Sequence, residues 1–315
     1  MQEQETALWN WLLFSGVLST QRAKTLLQKW QSMSISVQQA LAEPEKGPLG
    51  LTPEESRKLH APRNLHTPSA VRWNESDYPA GLQRLPLKIR PALFFYCGEK
   101  QLLSRPVVYF PPTPLQEHTI ERTRETLNLL LGEALLPATL KGSPQAALLL
   151  QEMETSEGEA LLFTRSGLNT TTTTAQEALL LDQQRLVIAT PLPENALPDA
   201  RLDTILNQVE AATASYCVFT GSDAPVAPFS QTPTLWITSE KIPGTAASPK
   251  VKALTEPMEL VLWITNGGTT PSPMITKVLT PELPEAPDLT PEETLQILEK
   301  GGNIPDILKK RLTKK

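Results

Sequence analysis

The chain has 315 residues and a formal charge of -5, from 29 Lys and Arg against 34 Asp and Glu. Its 40% hydrophobic and 20% charged residues suit a sizeable core and exclude a mainly disordered chain, while the acidic balance excludes a global field that attracts phosphates, so any nucleic-acid binding must come from a local patch. Thirty Pro against 15 Gly, about twice the usual proline share, exclude collagen-like and Gly/Ser-linker chains and predict stiff loops and few long helices.

From the N-terminus, Leu8, Trp9, Leu12 and Leu13, then Ala23, Leu26, Leu27 and Trp30, recur at helical spacing on either side of a turn at 15–20. Two helices are expected, the second capped by Ser19 or Thr20. Further helical signal lies at Val37 to Ala42 and after Thr52, a plausible N-cap with Pro53 in the first helical position. Residues 1–62 therefore read as a small all-helical domain, with Trp9, Trp11 and Trp30 as anchors. The apolar stretch Leu8 to Phe14 lacks a basic leader and is too short to span a bilayer, so a cytoplasmic protein without a membrane association is expected.

Pro62 to Tyr78 is polar and broken by Pro62 and Pro68, which reads as a linker opening a second domain over 63–265. There, short apolar runs recur at Ala92 to Cys97, Val107 to Phe110, Ala160 to Thr164, Leu186 to Thr190, Tyr216 to Thr220 and Thr234 to Thr238, with Leu260 to Thr265 as a further candidate strand. Helical segments at Gln116 to Leu131, Pro144 to Met153, Ala175 to Asp182 and Arg201 to Ala212 alternate with them. That alternation predicts an α/β, Rossmann-like, mostly parallel sheet with helices on both faces. Residues 266–290 read as a Pro/Thr-rich linker and 291–315 as a short helical basic tail.

Cys97 and Cys217 are the only cysteines and sit in apolar stretches, which indicates neither a disulfide framework nor a zinc site. His60, His66 and His118 show no metal spacing, and no nucleophile and base pair is recognisable, so no cofactor, no metal and no catalytic residue is assigned and no enzymatic turnover is expected.

The segment Tyr78-Pro79-Ala80-Gly81-Leu82 and the apolar strand Pro91-Ala92-Leu93-Phe94-Phe95-Tyr96-Cys97-Gly98 that follows resemble the Tyr-Pro-x-x-Leu and Pro-x-x-Leu-x-x-x-Gly elements of the DNA-processing protein DprA (Smf) family. Leu140-Lys141-Gly142-Ser143 before an Ala-rich helix, the stretch Ala160 to Asn169, and Arg201-Leu202-Asp203-Thr204-Ile205-Leu206 resemble further elements of that family in the same order. The resemblance covers roughly residues 6–240 and rests more on the order of elements than on intact motifs. After Val107-Val108-Tyr109-Phe110, where the family has a Val-Gly-Ser/Thr-Arg turn, this chain has Pro111-Pro112-Thr113-Pro114, and prolines have no N–H to offer a phosphate. The resemblance implies binding of single-stranded DNA in DNA uptake and natural transformation, with delivery to the RecA recombinase; a homodimer is a further candidate assembly.

Two loops are candidate phosphate sites. Lys141, Gly142 and Ser143 follow a strand and precede a helix, so backbone N–H groups and the helix dipole can join the lysine charge. Arg165, Ser166 and Gly167 end another strand on the same carboxyl edge, where open α/β sheets bind ligands. Arg201 is what remains of the family's Arg-Asn pair. Each loop also fits an ordinary strand-to-helix turn. Two other functions stay open: a non-DNA-binding interaction or scaffold protein on the same fold, favoured by the acidic charge and the proline-filled turn, and a nucleotide-binding or nucleotide-cleaving Rossmann-like protein, which would need a carboxylate facing the edge loops, Asp223 or Glu194 being the candidates.

Overall fold

The computed structural model describes residues 2–42, 49–59, 65–133, 135–221, 231–238 and 251–266. The chain divides after Val261, and of the second unit only 262–266 are described. Four helices come first: α1 (Gln2–Phe14), α2 (Thr20–Ser32), α3 (Val37–Ala42) and α4 (Pro53–Leu59). Ser19 is the cap of α2, accepting from Arg22 N at 3.3 Å. At α4, Thr52 and Glu55 cap reciprocally at 3.2 and 2.8 Å, behind Pro53 in the first turn.

A nine-stranded sheet follows: β1 (Ala70–Arg72), β2 (Leu93–Gly98), β3 (Val107–Phe110), β4 (Leu136–Leu140), β5 (Ala160–Phe163), β6 (Leu186–Thr190), β7 (Tyr216–Phe219), β8 (Thr234–Ile237) and β9 (Val251–Leu254). Its order is β1-β2-β6-β5-β4-β3-β7-β8-β9. Every pair from β6 to β9 is parallel, while β2 runs antiparallel to β6 and β1 antiparallel to β2. The expected α/β class with a mostly parallel sheet is therefore the observed one. Between the strands lie α5 (Glu117–Leu131), α6 (Pro144–Thr155), α7 (Ala175–Asp182) and α8 (Asp203–Thr213), with α9 (Pro257–Thr265) after β9.

Strand pleating sends alternate residues to opposite faces. Tyr109, Leu136, Ala138, Leu161, Phe163, Val187 and Ala189 share one continuous core with α1, α2 and the inner side of α8. Val108, Phe110, Thr139, Leu162 and Ile188, also buried, lie on the opposite face, against which α5, α6 and α7 pack. The N-terminal helices and the sheet are joined within that first core, where Trp9 stands edge-on to Trp73 with centroids 5.6 Å apart; at its edge the exposed Phe14 lies 6.0 Å from Phe95.

Two expectations are corrected. The stretch read as a linker contains β1, whose three residues gain strand geometry by pairing Ala70, Val71 and Arg72 with Phe95, Phe94 and Leu93. The stretch read as a final strand, Leu260 to Thr265, is instead the body of α9. Pro257 opens that helix and Thr255 N donates to Glu259 Oε2 at 2.9 Å; a short apolar run looks alike in a buried strand and a buried helix. Calls on 267–315, including the basic tail, lie outside the described residues, as does Asp223.

Lys24 of α2 is buried, and its Nζ donates to Lys88 O at 3.3 Å. Burial first, then the charge of Arg90, push its pKa down to about 8 from 10.5. Between those pH values the unfolded chain holds a proton that the folded chain has released, so stability rises with pH through this window. Lys24→Met is expected to stabilise the fold by about 1 to 3 kcal/mol below pH 8, a gain that vanishes by about pH 10.5. Thermal melts across that range check the sign; a gain that grows with pH would refute it.

Candidate nucleic-acid interface

Strands β3 to β6 step across the sheet in one direction and β7 to β9 step in the other, so the topological switch point lies between β3 and β7. At the carboxyl end of β3 stand Pro111, Pro112 and Pro114, which have no N–H to donate. Gln145, in the first turn of α6, ties this loop down, its Nε2 donating to Thr113 O at 2.6 Å and to Thr113 Oγ1 at 3.0 Å. Beside it, Thr220 after β7 shares a 2.6 Å hydrogen bond with Thr123 of α5. Prolines and a pair of hydroxyls bonded to one another thus stand at the switch point.

Lys141 and Arg165 follow the adjacent parallel strands β4 and β5 and share the carboxyl edge, but their side chains leave on opposite faces. The register explains this: Leu140 pairs with Phe163, and both pack against the face that carries α8. Lys141, one residue further, points to the α7 face; Arg165, two residues beyond Phe163, returns to the α8 face.

On the α7 face, Lys141 Nζ contacts both carboxylate oxygens of Glu177. Glu177 Oε2 also accepts from Thr174 N at 2.8 Å, while Thr174 Oγ1 accepts from Glu177 N at 3.2 Å, the reciprocal cap of α7. Next to the lysine, Gly142 is exposed at φ +78. A Cβ there would meet nothing within 4 Å, so the backbone conformation and not crowding calls for glycine. Among the described residues its N–H meets no acceptor. Ser143 caps α6, accepting from Ala146 N at 3.1 Å, and lies 3.2 Å from Thr139 Oγ1. Thr164, Ser166 and Thr171 complete this face with hydroxyl contacts of 2.8 to 3.2 Å; of the threonine run at 170–174, Thr174 is the helix cap.

On the α8 face, Arg165 Nε and Nη2 donate to Glu210 at 2.9 and 3.0 Å, Nη2 also meets Asn207 Oδ1, and Nη1 lies 3.4 Å from Asp203. Tyr109 OH donates to the same Glu210 at 2.5 Å. Burial, then Glu210, raise the Tyr109 pKa far above its ordinary value, so the phenol stays a donor. Gly167 is a packing glycine: its N–H donates to Ala196 O at 2.7 Å and a Cβ would stand 2.1 Å from Glu194 O. Arg201, in a 3-10 turn before α8, is paired with Asp199 at 2.7 Å, its side chain 89% exposed. Glu194 is paired with His66 at 2.9 Å. The carboxylates Glu177 and Glu210 and the amide Gln145 went unnoticed in sequence reading; only Thr174 followed by Glu177 three residues on, a capping signature, marked one of them.

The Tyr-Pro segment is a structural dock. Tyr78 is buried and its OH donates to Pro91 O at 2.7 Å, Leu82 is fully buried, and Gly81 lets the chain pass so close to α8 that a Cβ would lie 1.9 Å from Ala212 O. A cavity of about 620 Å³ lined in part by Glu5, Trp9, Gln31 and Arg72 takes in none of the strand-end residues. Among the described residues there is no group of three His, Cys, Asp or Glu able to hold a metal, and no helix is long and apolar enough to cross a membrane.

No family model matches the chain, and no curated protein matches it significantly in sequence. The solved structure of DNA processing protein A (DprA) from Streptococcus pneumoniae superposes with a TM-score of 0.56, over 80% of this chain and 95% of that one, at 12% identity. The fold is DprA-like. A DNA processing protein A from Helicobacter pylori, known for its single-stranded DNA binding mode, aligns with a TM-score of 0.48 over 63% of this chain and 96% of that one, at 9% identity. In this DprA-like fold a helical N-terminal region precedes a mostly parallel sheet, prolines stand at the switch point, and each candidate cation of the carboxyl edge is paired with a carboxylate of its own chain.

Proposed function

We propose that this chain is a DNA-processing protein of the DprA type that holds single-stranded DNA weakly and without sequence preference at the carboxyl edge of its sheet. The observation that carries this reading is the placement of Lys141 next to the exposed N–H of Gly142, which meets no acceptor among the described residues, at a strand end, in a fold like that of a DNA processing protein. Such a site suits a phosphate and offers nothing to read a base. Lys141 and Gly142 form the phosphate contact, and Ser143, whose hydroxyl caps α6, supports it from behind; Arg165, Ser166, Gly167 and Arg201 shape the neighbouring loops. Delivery of the strand to a RecA recombinase, self-association and a cytoplasmic location extend the same reading, which includes no chemical turnover.

With one principal phosphate contact, affinity for an oligothymidylate is expected in the range of roughly 10 to 100 µM at physiological salt, with a shallow salt slope. Lys141→Ala is expected to weaken binding several-fold at low salt and to reduce the slope by about 0.7 to 1, read by fluorescence anisotropy. Unchanged affinity and slope in that variant would remove Lys141 from the interface. Hydrolysis of nucleotides or DNA by the pure protein, abolished by changing an edge residue, would overturn the non-enzymatic part.

A second reading, an interaction or scaffold protein that has lost DNA binding, is favoured by one observation: Lys141, Arg165 and Arg201 are each neutralised within the chain. It predicts no oligonucleotide binding even at about 20 mM salt, where screening is weak.

A further inference from the structure

We infer that Glu177 is a built-in competitor for the phosphate site, holding Lys141 in a self-neutralised state that nucleic acid must displace. This rests on the proposed function and concerns the regulation of the same site. The Glu177 carboxylate holds the Lys141 ammonium against both of its oxygens and takes the Thr174 N–H on Oε2, so the charge a phosphate at Gly142 would need is engaged within the chain. The Glu177 side chain is 3% exposed and that of Lys141 14%, so the carboxylate is the more enclosed of the two. Gly142, the next residue along the chain, is exposed, with open space where a Cβ would stand.

The two edge cations differ in how they are held. Arg165 is gripped by three groups, Glu210, Asn207 and Asp203, and Glu210 is in turn held by the buried Tyr109; releasing the arginine would break all three contacts at once. Lys141 has one carboxylate partner on a flexible four-carbon stem. When the lysine turns to a phosphate, Glu177 keeps its backbone partner in the cap of α7. Lys141 is therefore the releasable cation and Glu177 sets the cost of its release.

Glu177→Gln removes the charge and keeps an amide oxygen able to accept from Thr174 N, so α7 stays capped. In anisotropy titrations with fluorescent oligothymidylate at about 20 to 200 mM salt, this variant is expected to bind roughly tenfold tighter than the parent, the order of one freed charge-assisted contact. Lys141→Ala on the Glu177→Gln background should abolish the gain. Glu177→Asp, which keeps the charge with a shorter reach, is expected to give an intermediate gain, and melting curves of each variant show whether the fold is retained. If the parent binds and Glu177→Gln binds no tighter, or if the gain survives loss of Lys141, the inference is overturned while the proposed function stands. If neither the parent nor any variant binds at low salt, the proposed function falls and the inference with it.

Discussion

Glu210→Ala is expected to cost about 3 to 5 kcal/mol, the range for removing one partner of a buried ion pair. Glu210 is 2% exposed on α8 and receives three hydrogen bonds, from Tyr109 OH and from Nε and Nη2 of Arg165. Without it, a fully buried phenol and a largely buried guanidinium lose their shared acceptor, and each keeps its desolvation penalty. For a unit of this size the midpoint of thermal unfolding should fall by roughly 10 °C, measurable by calorimetry. The triple change Tyr109→Phe, Glu210→Met, Arg165→Met is expected to cost far less, because no buried charged or polar group of the cluster then remains unpaired, Asn207 and Asp203 being open to solvent. A loss below about 1 kcal/mol for Glu210→Ala would show that the cluster does not hold α8 to the sheet. Because Arg165 belongs to this cluster, Arg165→Ala should lower stability first, and any effect on DNA binding should track that loss.

Trp9→Ala is the second large effect, expected at about 3 to 5 kcal/mol. Trp9 is 1% exposed, stacks edge-on against Trp73, and lies beneath Arg72 with the guanidinium carbon 6.0 Å from its centroid. Its indole N–H reaches Glu5 at 3.3 Å, and Glu5 also receives Val37 N at 2.7 Å at the start of α3. One side chain thus links α1, the approach to α3 and the segment after β1. The parent should unfold in urea with tryptophan fluorescence and far-ultraviolet circular dichroism following one transition, displaced to lower urea in the variant. An early separate transition in the parent would mean that the N-terminal helices unfold on their own.

Much of the chain's local structure was legible from residue order alone, since it rests on interactions within a few residues. Val107–Phe110, Leu186–Thr190 and Ala175–Asp182 are the elements that their apolar periodicity indicated, and the stop of one helix and start of the next at Ser19 follows from a side-chain cap spanning three residues. The alternation of these elements already implied a parallel sheet. By contrast, β1 has only three residues and β9 reads Val-Lys-Ala-Leu, without the continuous apolar run of β3, and each becomes a strand only because a neighbouring strand offers its hydrogen-bonding edge.

The candidate site divides along the same line. Sequence order put Lys141 and Arg165 at successive strand ends, and hence on one edge of the sheet. Which face each side chain takes depends on the pairing of Leu140 with Phe163, because a shift of one residue reverses every side chain of a strand. Their carboxylate partners come from helices 36 and 45 residues further along the chain, and no local pattern encodes a contact at that separation. The sequence by itself determined which residues stand at the strand ends, through short-range hydrogen bonding and hydrophobic periodicity. Only the tertiary structure decided that each of the two cations meets a carboxylate of its own chain, on opposite faces of the sheet, because that outcome is a matter of how whole helices dock on the pleat.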